Sequence, residues 1–305
     1  MLKILVILTG GTIGSELNGE YIATASGDNK YQIIELYKES NPDISRETVF
    51  DTANPYTILS ENLSGCHINK LLDSIKQASR KKDEIYDGII VTHGTDTLQY
   101  SASAAALAFN DTAIPIIFVS SNYILTDKKA NGLNNFSLAV NYIREKKTPG
   151  VYTAYDSEIK DCLCLLPHMS YSDKLYDIEL SSDTLKAVFD DFTDKSSIKD
   201  IKLSDNAPIL YLKAVPGQVY PDIDKSKIKA ILLETYHSGT LGTDNAAFSE
   251  FCETAYKFNV PVYVVGVDER DQYESTRLYK NLHLNVLIRI SPVIAYMKLW
   301  FLFSI

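Results

Sequence analysis

Short, nearly unbroken apolar runs recur along this chain, separated by longer segments whose apolar residues return at helical spacing. The runs at 2–8, 86–91, 114–119, 150–155 and 162–166 read as strands buried on both faces. Segments near 30–39, 68–80, 98–109 and 132–146 read as helices. Such alternation predicts an α/β fold whose larger N-terminal domain has a parallel-rich sheet flanked by helices. A polar stretch rich in Asp, Ser and Lys follows, from Asp183 to Asp205. It contains no long apolar run and reads as a linker, placed at 186–205. Further runs at 209–212, 228–233 and 260–265 begin a second βα series. They predict a smaller C-terminal α/β domain, so the expected domains are 1–185 and 206–305. The apolar segment 292–303 predicts a buried final helix. It is too short for a membrane span and carries Lys298.

Composition narrows the function classes. With 305 residues, 45% hydrophobic and 23% charged, the chain has the profile of an ordinary globular protein. A net charge of −9 argues against a nucleic-acid partner, which requires a basic surface. Cys66, Cys162, Cys164 and Cys252 do not have zinc-site spacing. Cys162 and Cys164 share one face of a predicted strand, which leaves a metal or redox role beside the reading of all four as buried, inert thiols. The N-terminus has no signal-peptide cleavage pattern, and the expected location is cytoplasmic. No G-x-G-x-x-G follows any strand, which argues against a dinucleotide site.

Two motifs carry the candidate chemistry. Thr9-Gly10-Gly11-Thr12-Ile13 closes the first apolar run. Its glycines let the backbone turn sharply and come close to a ligand. They do so at the carboxyl end of a strand, where open α/β sheets bind ligands. Thr12 there sets a hydroxyl beside backbone N–H groups, the pairing that nucleophilic acyl chemistry needs. The run at 86–91 leads into Thr92-His93-Gly94-Thr95-Asp96-Thr97, which presents a second threonine with a carboxylate beside it. Between Thr12 and the next helix, residues 14–22 are rich in Gly and polar side chains and read as a mobile lid containing Tyr21.

TGGTI followed by HGTDT, each after a strand, resembles the bacterial-type L-asparaginase family. The resemblance covers nearly the whole chain, is strongest over 1–145, and points to cytoplasmic, type I-like members. It implies Thr12 as nucleophile and Tyr21 as the mobile tyrosine that closes over it, with Tyr31 as the fallback. It implies Thr95 and Asp96 as a catalytic pair completed by a lysine, and Gly94 as part of the substrate-binding turn. Ser60 and Glu61 match a pair that takes the carboxylate and ammonium of a zwitterionic substrate. The backbone N–H groups of Gly11 and Thr95 match oxyanion donors, and Ser120 matches a pocket-forming turn. Asn131 stands where the family has an aspartate. Read without the resemblance, Tyr21 is also a surface tyrosine, and Thr95-Asp96 and Ser60-Glu61 are also helix caps. The lysine is displaced. Counting from the flanking strand puts Ser170 to Ser172 at its place, and Lys174 comes two to four residues late. A loop shift brings Lys174 in; otherwise it is an exposed lysine.

The function so implied is hydrolysis of L-asparagine to L-aspartate and ammonia through a threonine acyl-enzyme, with no metal or organic cofactor. Alternatives are a glutaminase or other amidase, and an amino-acid-binding sensor of the same fold with weak or no turnover. The archaeal tRNA amidotransferase subunit with these motifs carries an extra N-terminal domain, for which a TGGT beginning at residue 9 leaves no room. Expected partners are a small-molecule substrate and further copies of the chain, as a homodimer or dimer of dimers, with no membrane. In the second domain Glu234-Thr235-Tyr236-His237-Ser238-Gly239-Thr240 resembles a family turn that borders a partner subunit's site.

Overall fold

The computed structural model describes residues 1–25, 27, 31–80, 86–145, 148–190, 195–270 and 272–304. The chain divides into two compact units, Met1–Asp177 with Asp194–Asp200, and Ile178–Thr193 with Ile201–Ile305.

The first unit begins with β1 (Leu2–Leu8) and a hairpin of β2 (Ser15–Asn18) and β3 (Tyr21–Thr24). It continues through α1 (Gln32–Ser40), α2 (Pro42–Arg46), β4 (Thr48–Ala53), α3 (Gly65–Arg80) and β5 (Gly88–Thr92). Then come α4 (Leu98–Ala108), β6 (Pro115–Val119), α5 (Gly132–Glu145), β7 (Gly150–Tyr155) and β8 (Glu158–Asp161). Six strands form one sheet in the order β4-β1-β5-β6-β7-β8. All neighbours are parallel except β7 and β8.

Burial on both faces explains the unbroken apolar runs. In β1, Ile4, Val6 and Leu8 join a core with Ile33, Ile34 and Tyr37 of α1 and Phe136, Val140 and Ile143 of α5. Tyr37 meets Phe136 edge-on at 5.5 Å, a favoured aromatic geometry. Alanine-rich α4 is buried on nearly every side. Alanine is the best helix former, and its small side chain lets neighbouring elements come close.

Two sequence expectations change here. Residues 162–166 do not form a strand. The partner of β7 is β8, reached through Asp156 and Ser157, both at positive φ (49° and 65°), as a tight two-residue hairpin turn requires. Cys162 and Cys164 therefore sit in a turn and do not share a strand face. Cys162 is buried and Cys164 half-buried, while Cys66 is exposed, so the four thiols are not uniformly buried. Residues 14–22 are not an open loop either: Ser15–Asn18 pair antiparallel with Tyr21–Thr24 around Gly19.

The second unit holds α6 (Ser182–Phe189), β9 (Ile209–Lys213), β10 (Ala230–Glu234), α7 (Ala246–Lys257) and β11 (Val262–Val267). It ends with α8 (Glu274–Arg277), β12 (Leu284–Ile288) and α9 (Pro292–Leu302). Its four strands are parallel in the order β12-β11-β10-β9. α9 is the buried final helix, started by Pro292 and capped by Ser291, whose side chain accepts from the Ile294 N–H. Among the described residues no helix is long and apolar enough to cross a membrane. The stretch 186–205 contains the end of α6 and a short 3-10 helix at Lys195–Asp200, which packs with the first unit.

Candidate active site

The strand order places the two motifs together. From β1 the chain moves to β4 on one side and then returns to β5 on the other. The loops leaving β1 and β5 therefore flank a topological switch point, where open sheets bind ligands. Gly10 and Gly11 take φ of 96° and 71° in the first loop. A Cβ on Gly11 would lie 2.2 Å from the Gly94 Cα, so the two loop backbones touch. The Thr9 hydroxyl donates to the Thr92 carbonyl at 2.7 Å, tying the same two strand ends. Asn54 donates to the Leu8 carbonyl at 2.7 Å, bringing the segment after β4 to the same edge.

Thr12 opens a 3-10 turn, Thr12–Gly14, closed by the Gly14 N–H and the Ser15 hydroxyl, both donating to the Gly11 carbonyl. The Gly11 N–H, expected as an oxyanion donor, is already committed: it donates to the Ile58 carbonyl at 2.9 Å. What Gly11 provides in the structure is its close approach to Gly94. The Thr95 N–H stands as the remaining expected donor.

Ser60 is buried and opens a short 3-10 turn, Ser60–Asn62. Its hydroxyl donates to Asp96 Oδ2 at 3.1 Å, and its carbonyl accepts from the Thr97 hydroxyl at 2.9 Å. A Cβ on Gly94 would lie 2.4 Å from Ser60 Oγ. Thus Gly11, Gly94, Ser60, Thr95 and Asp96 form one contiguous group, with Thr12 beside Gly11. Glu61, next to Ser60, is exposed. Below this group His93 is 2% exposed. Burial lowers its pKa to about 4, partly offset by the Gly94 carbonyl 2.9 Å from Nδ1.

A polar cavity of about 380 Å³ opens beside Thr95 and Asp96, walled by Asn122, Tyr155, His168 and Ser170 among others. The Asn122 loop is braced by reciprocal bonds: its N–H donates to Asn131 Oδ1 at 3.0 Å, and the Asn131 N–H donates to Asn122 Oδ1 at 3.2 Å. Asn131, at the place of an expected aspartate, thus holds backbone without needing a charge. Ser120 is fully buried, and its carbonyl accepts from Asn135 at 2.9 Å. Tyr21 sits on the β2–β3 hairpin, 63% exposed, its hydroxyl accepting from Asn18 at 3.3 Å.

Lys174 is exposed and does not line the cavity. It lies on the side of Glu158, whose carboxyl is held below its ordinary value mainly by Lys160 and to a smaller degree by Lys174. The basic side chain on the cavity wall is His168, which the sequence pattern does not single out. A signal is present all the same, since His168 lies two residues after Leu166, the expected end of the last strand.

These features define an α/β protein with a threonine-bearing loop at its switch point. The chain belongs to the asparaginase family: residues 3–163 match the family model described as Asparaginase, N-terminal. An L-asparaginase of Thermococcus kodakarensis is 28% identical over 159 residues, which span 52% of this chain and 45% of that protein. A glutamyl-tRNA(Gln) amidotransferase subunit of Sulfurisphaera tokodaii is 26% identical over 97% of this chain and 69% of its own length. Among solved structures, the thermostable L-asparaginase from Thermococcus kodakarensis superposes with a TM-score of 0.73 at 20% identity, covering 99% of this chain and 93% of that one. A probable cytoplasmic L-asparaginase from Campylobacter jejuni gives 0.71 at 17% identity, covering 100% and 95%. At these identities the structural likeness speaks for the fold.

Proposed function

We propose that this chain hydrolyses the side-chain amide of L-asparagine, giving L-aspartate and ammonia. Thr12 Oγ attacks the amide carbon, and the C–N bond breaks as ammonia leaves with the hydroxyl's proton. Water then attacks the ester carbon, frees aspartate and returns a proton to Thr12. The observation that carries this reading is the meeting of the Thr12 loop with the Thr95–Asp96 loop, backbone against backbone at Gly11 and Gly94. Asp96, oriented by Ser60, is suited to the substrate ammonium, and the Thr95 N–H to the developing oxyanion. Tyr21 and Glu61 are assigned to closing and lining the site, with Ser120 buried behind it in the turn that carries Asn122, and no metal or organic cofactor takes part. The reading carries with it a cytoplasmic homodimer or dimer of dimers.

The exposed position of Lys174 favours one second reading, an amino-acid-binding protein of this fold with weak or no turnover. The amidotransferase relative keeps amide transfer from another donor, such as glutamine, in view. Ammonia release from L-asparagine and from L-glutamine, measured beside a Thr12→Ala control, tests all three. Release from asparagine that vanishes in the control supports the hydrolase. Aspartate binding without release supports the sensor, and release from glutamine alone supports the third.

A further inference from the structure

His168 occupies the cavity wall beside Thr95 and Asp96, where a lysine was expected and Lys174 does not reach. Its ring is held on three sides. Nδ1 lies 3.4 Å from the Thr95 carbonyl, Nε2 lies 3.1 Å from the Ser172 carbonyl, and Tyr155 packs edge-on at 5.8 Å. Tyr155 is itself 1% exposed at the end of β7, so the ring rests against a fixed wall.

Both ring nitrogens face carbonyl oxygens, which only accept. A neutral imidazole has one N–H and serves one of them; the imidazolium has two and serves both. The remaining ionisable groups on the cavity wall are the carboxylates of Asp96 and Asp173 and the phenols of Tyr155 and Tyr171. His168 is the one basic side chain among the residues lining it.

We propose that His168 is the positioning residue of this site and its source of positive charge, in place of a lysine. As the imidazolium it clamps the Thr95 carbonyl to the 168–172 loop, which fixes the Thr95 N–H and hydroxyl against the substrate. The same charge faces the anionic product. This inference rests on the reading of the cavity as the amide site.

The test compares His168→Gln, His168→Lys and Lys174→Ala. The readouts are L-aspartate affinity by calorimetry, ammonia release from L-asparagine, and the ring ¹⁵N signals of His168, assigned by their loss in His168→Gln. With aspartate bound, both ring nitrogens of His168 are expected to carry protons. His168→Gln is expected to lose about tenfold in aspartate affinity, the scale of one nearby charge at the effective dielectric of a partly exposed site. His168→Lys is expected to recover most of it, and Lys174→Ala to match the parent. Unchanged affinity in His168→Gln overturns the proposal. So does one unprotonated ring nitrogen in the complex, or an equal loss in folded Gln and Lys variants, which would assign the role to ring shape. If the parent protein neither binds aspartate nor releases ammonia, the functional reading fails and this inference with it. Hydrolysis that is intact in His168→Gln removes this inference alone.

Discussion

The Ser60 hydroxyl donates to Asp96 Oδ2 at 3.1 Å, joining two loops 36 residues apart in the chain. The bond has a charged acceptor, the stronger class, yet Asp96 is exposed and can be hydrated when the donor is lost. Its main effect is therefore on orientation. Ser60→Ala is expected to cost about 1 kcal/mol or less in urea unfolding. L-Aspartate affinity is expected to fall several-fold, because the carboxylate is no longer held toward the ligand. A large stability loss with unchanged affinity would place Ser60 in the framework only.

Gly11 is a sharper case, because its neighbours are backbone. Its φ of 71° strains any L side chain, and its Cβ would lie 2.2 Å from Gly94 Cα and 2.3 Å from Gly94 N. Relief requires parting the ends of β1 and β5. Gly11→Ala is expected to destabilise by about 3 kcal/mol or more, in the range of changes that disrupt packing outright. Gly19 provides the comparison: φ is 65°, but nothing lies within 4 Å of its Cβ position. Gly19→Ala is expected to cost about 1–2 kcal/mol, the left-handed backbone penalty alone. Equal losses in the two would show that the contact with Gly94 is not tight.

The comparison of these glycines also shows what the sequence made legible. Strands buried on both faces are unbroken apolar runs, so β1, β5, β6 and β7 stand out in the sequence, and the motifs at the ends of β1 and β5 stand out with them. Half-exposed strands do not. β4 has only Val49 and Phe50 between Thr48 and Asp51-Thr52, and the Ser15–Thr24 hairpin is mostly polar, so neither forms an apolar run. β8, sequence EIKD, escapes the pattern because it is mostly polar, while the apolar run after it, with Cys162 and Leu165 buried, does not form a strand. The motifs single out Ser60 and Asp96 separately, but the hydrogen bond between them is not legible in the sequence. Nor is the place of His168, because it depends on where the loop after β8 returns against the Thr95 turn.

Thr12 and Lys174 separate the two leading readings by mutation. Thr12 is half-buried at the start of a turn whose bonds use the Gly11 carbonyl and not its own hydroxyl. Thr12→Ala is therefore expected to fold normally and bind L-aspartate while turnover falls by about a thousandfold or more, as loss of a nucleophile requires. Lys174→Ala removes an exposed charge outside the cavity and is expected to leave turnover within about threefold. A collapse of turnover in Lys174→Ala would mean that the loop after β8 moves during the reaction and carries that lysine inward.

His93 gives the site an acid limit. Its ring is buried beneath the Gly94 turn, where desolvation lowers its pKa from 6.5 to about 4. Its Nε2 is buried with no hydrogen-bond partner among the described residues, so the folded protein has no place for a second ring proton. The unfolded chain takes up a proton as pH falls below 6.5, and the folded chain does so only near 4. The unfolded state therefore binds more protons throughout that interval, and stability declines as pH falls through it. The full contribution is present above 6.5, and the part lost by pH 4 is about 3 kcal/mol at most. Other carboxylates add slopes of their own, so the measurement is a difference. Urea unfolding of the parent and of His93→Gln, run from pH 7 to pH 4, is expected to show the parent losing up to about 3 kcal/mol more than the variant. Parallel curves would mean that His93 is hydrated or reaches a proton acceptor in solution. Because a proton on the buried Nε2 has no acceptor among the described residues and the ring sits beneath the Gly94 turn, protonation is also expected to disturb the Thr95–Asp96 turn, so ligand affinity should decline over the same pH interval in the parent and less in the variant.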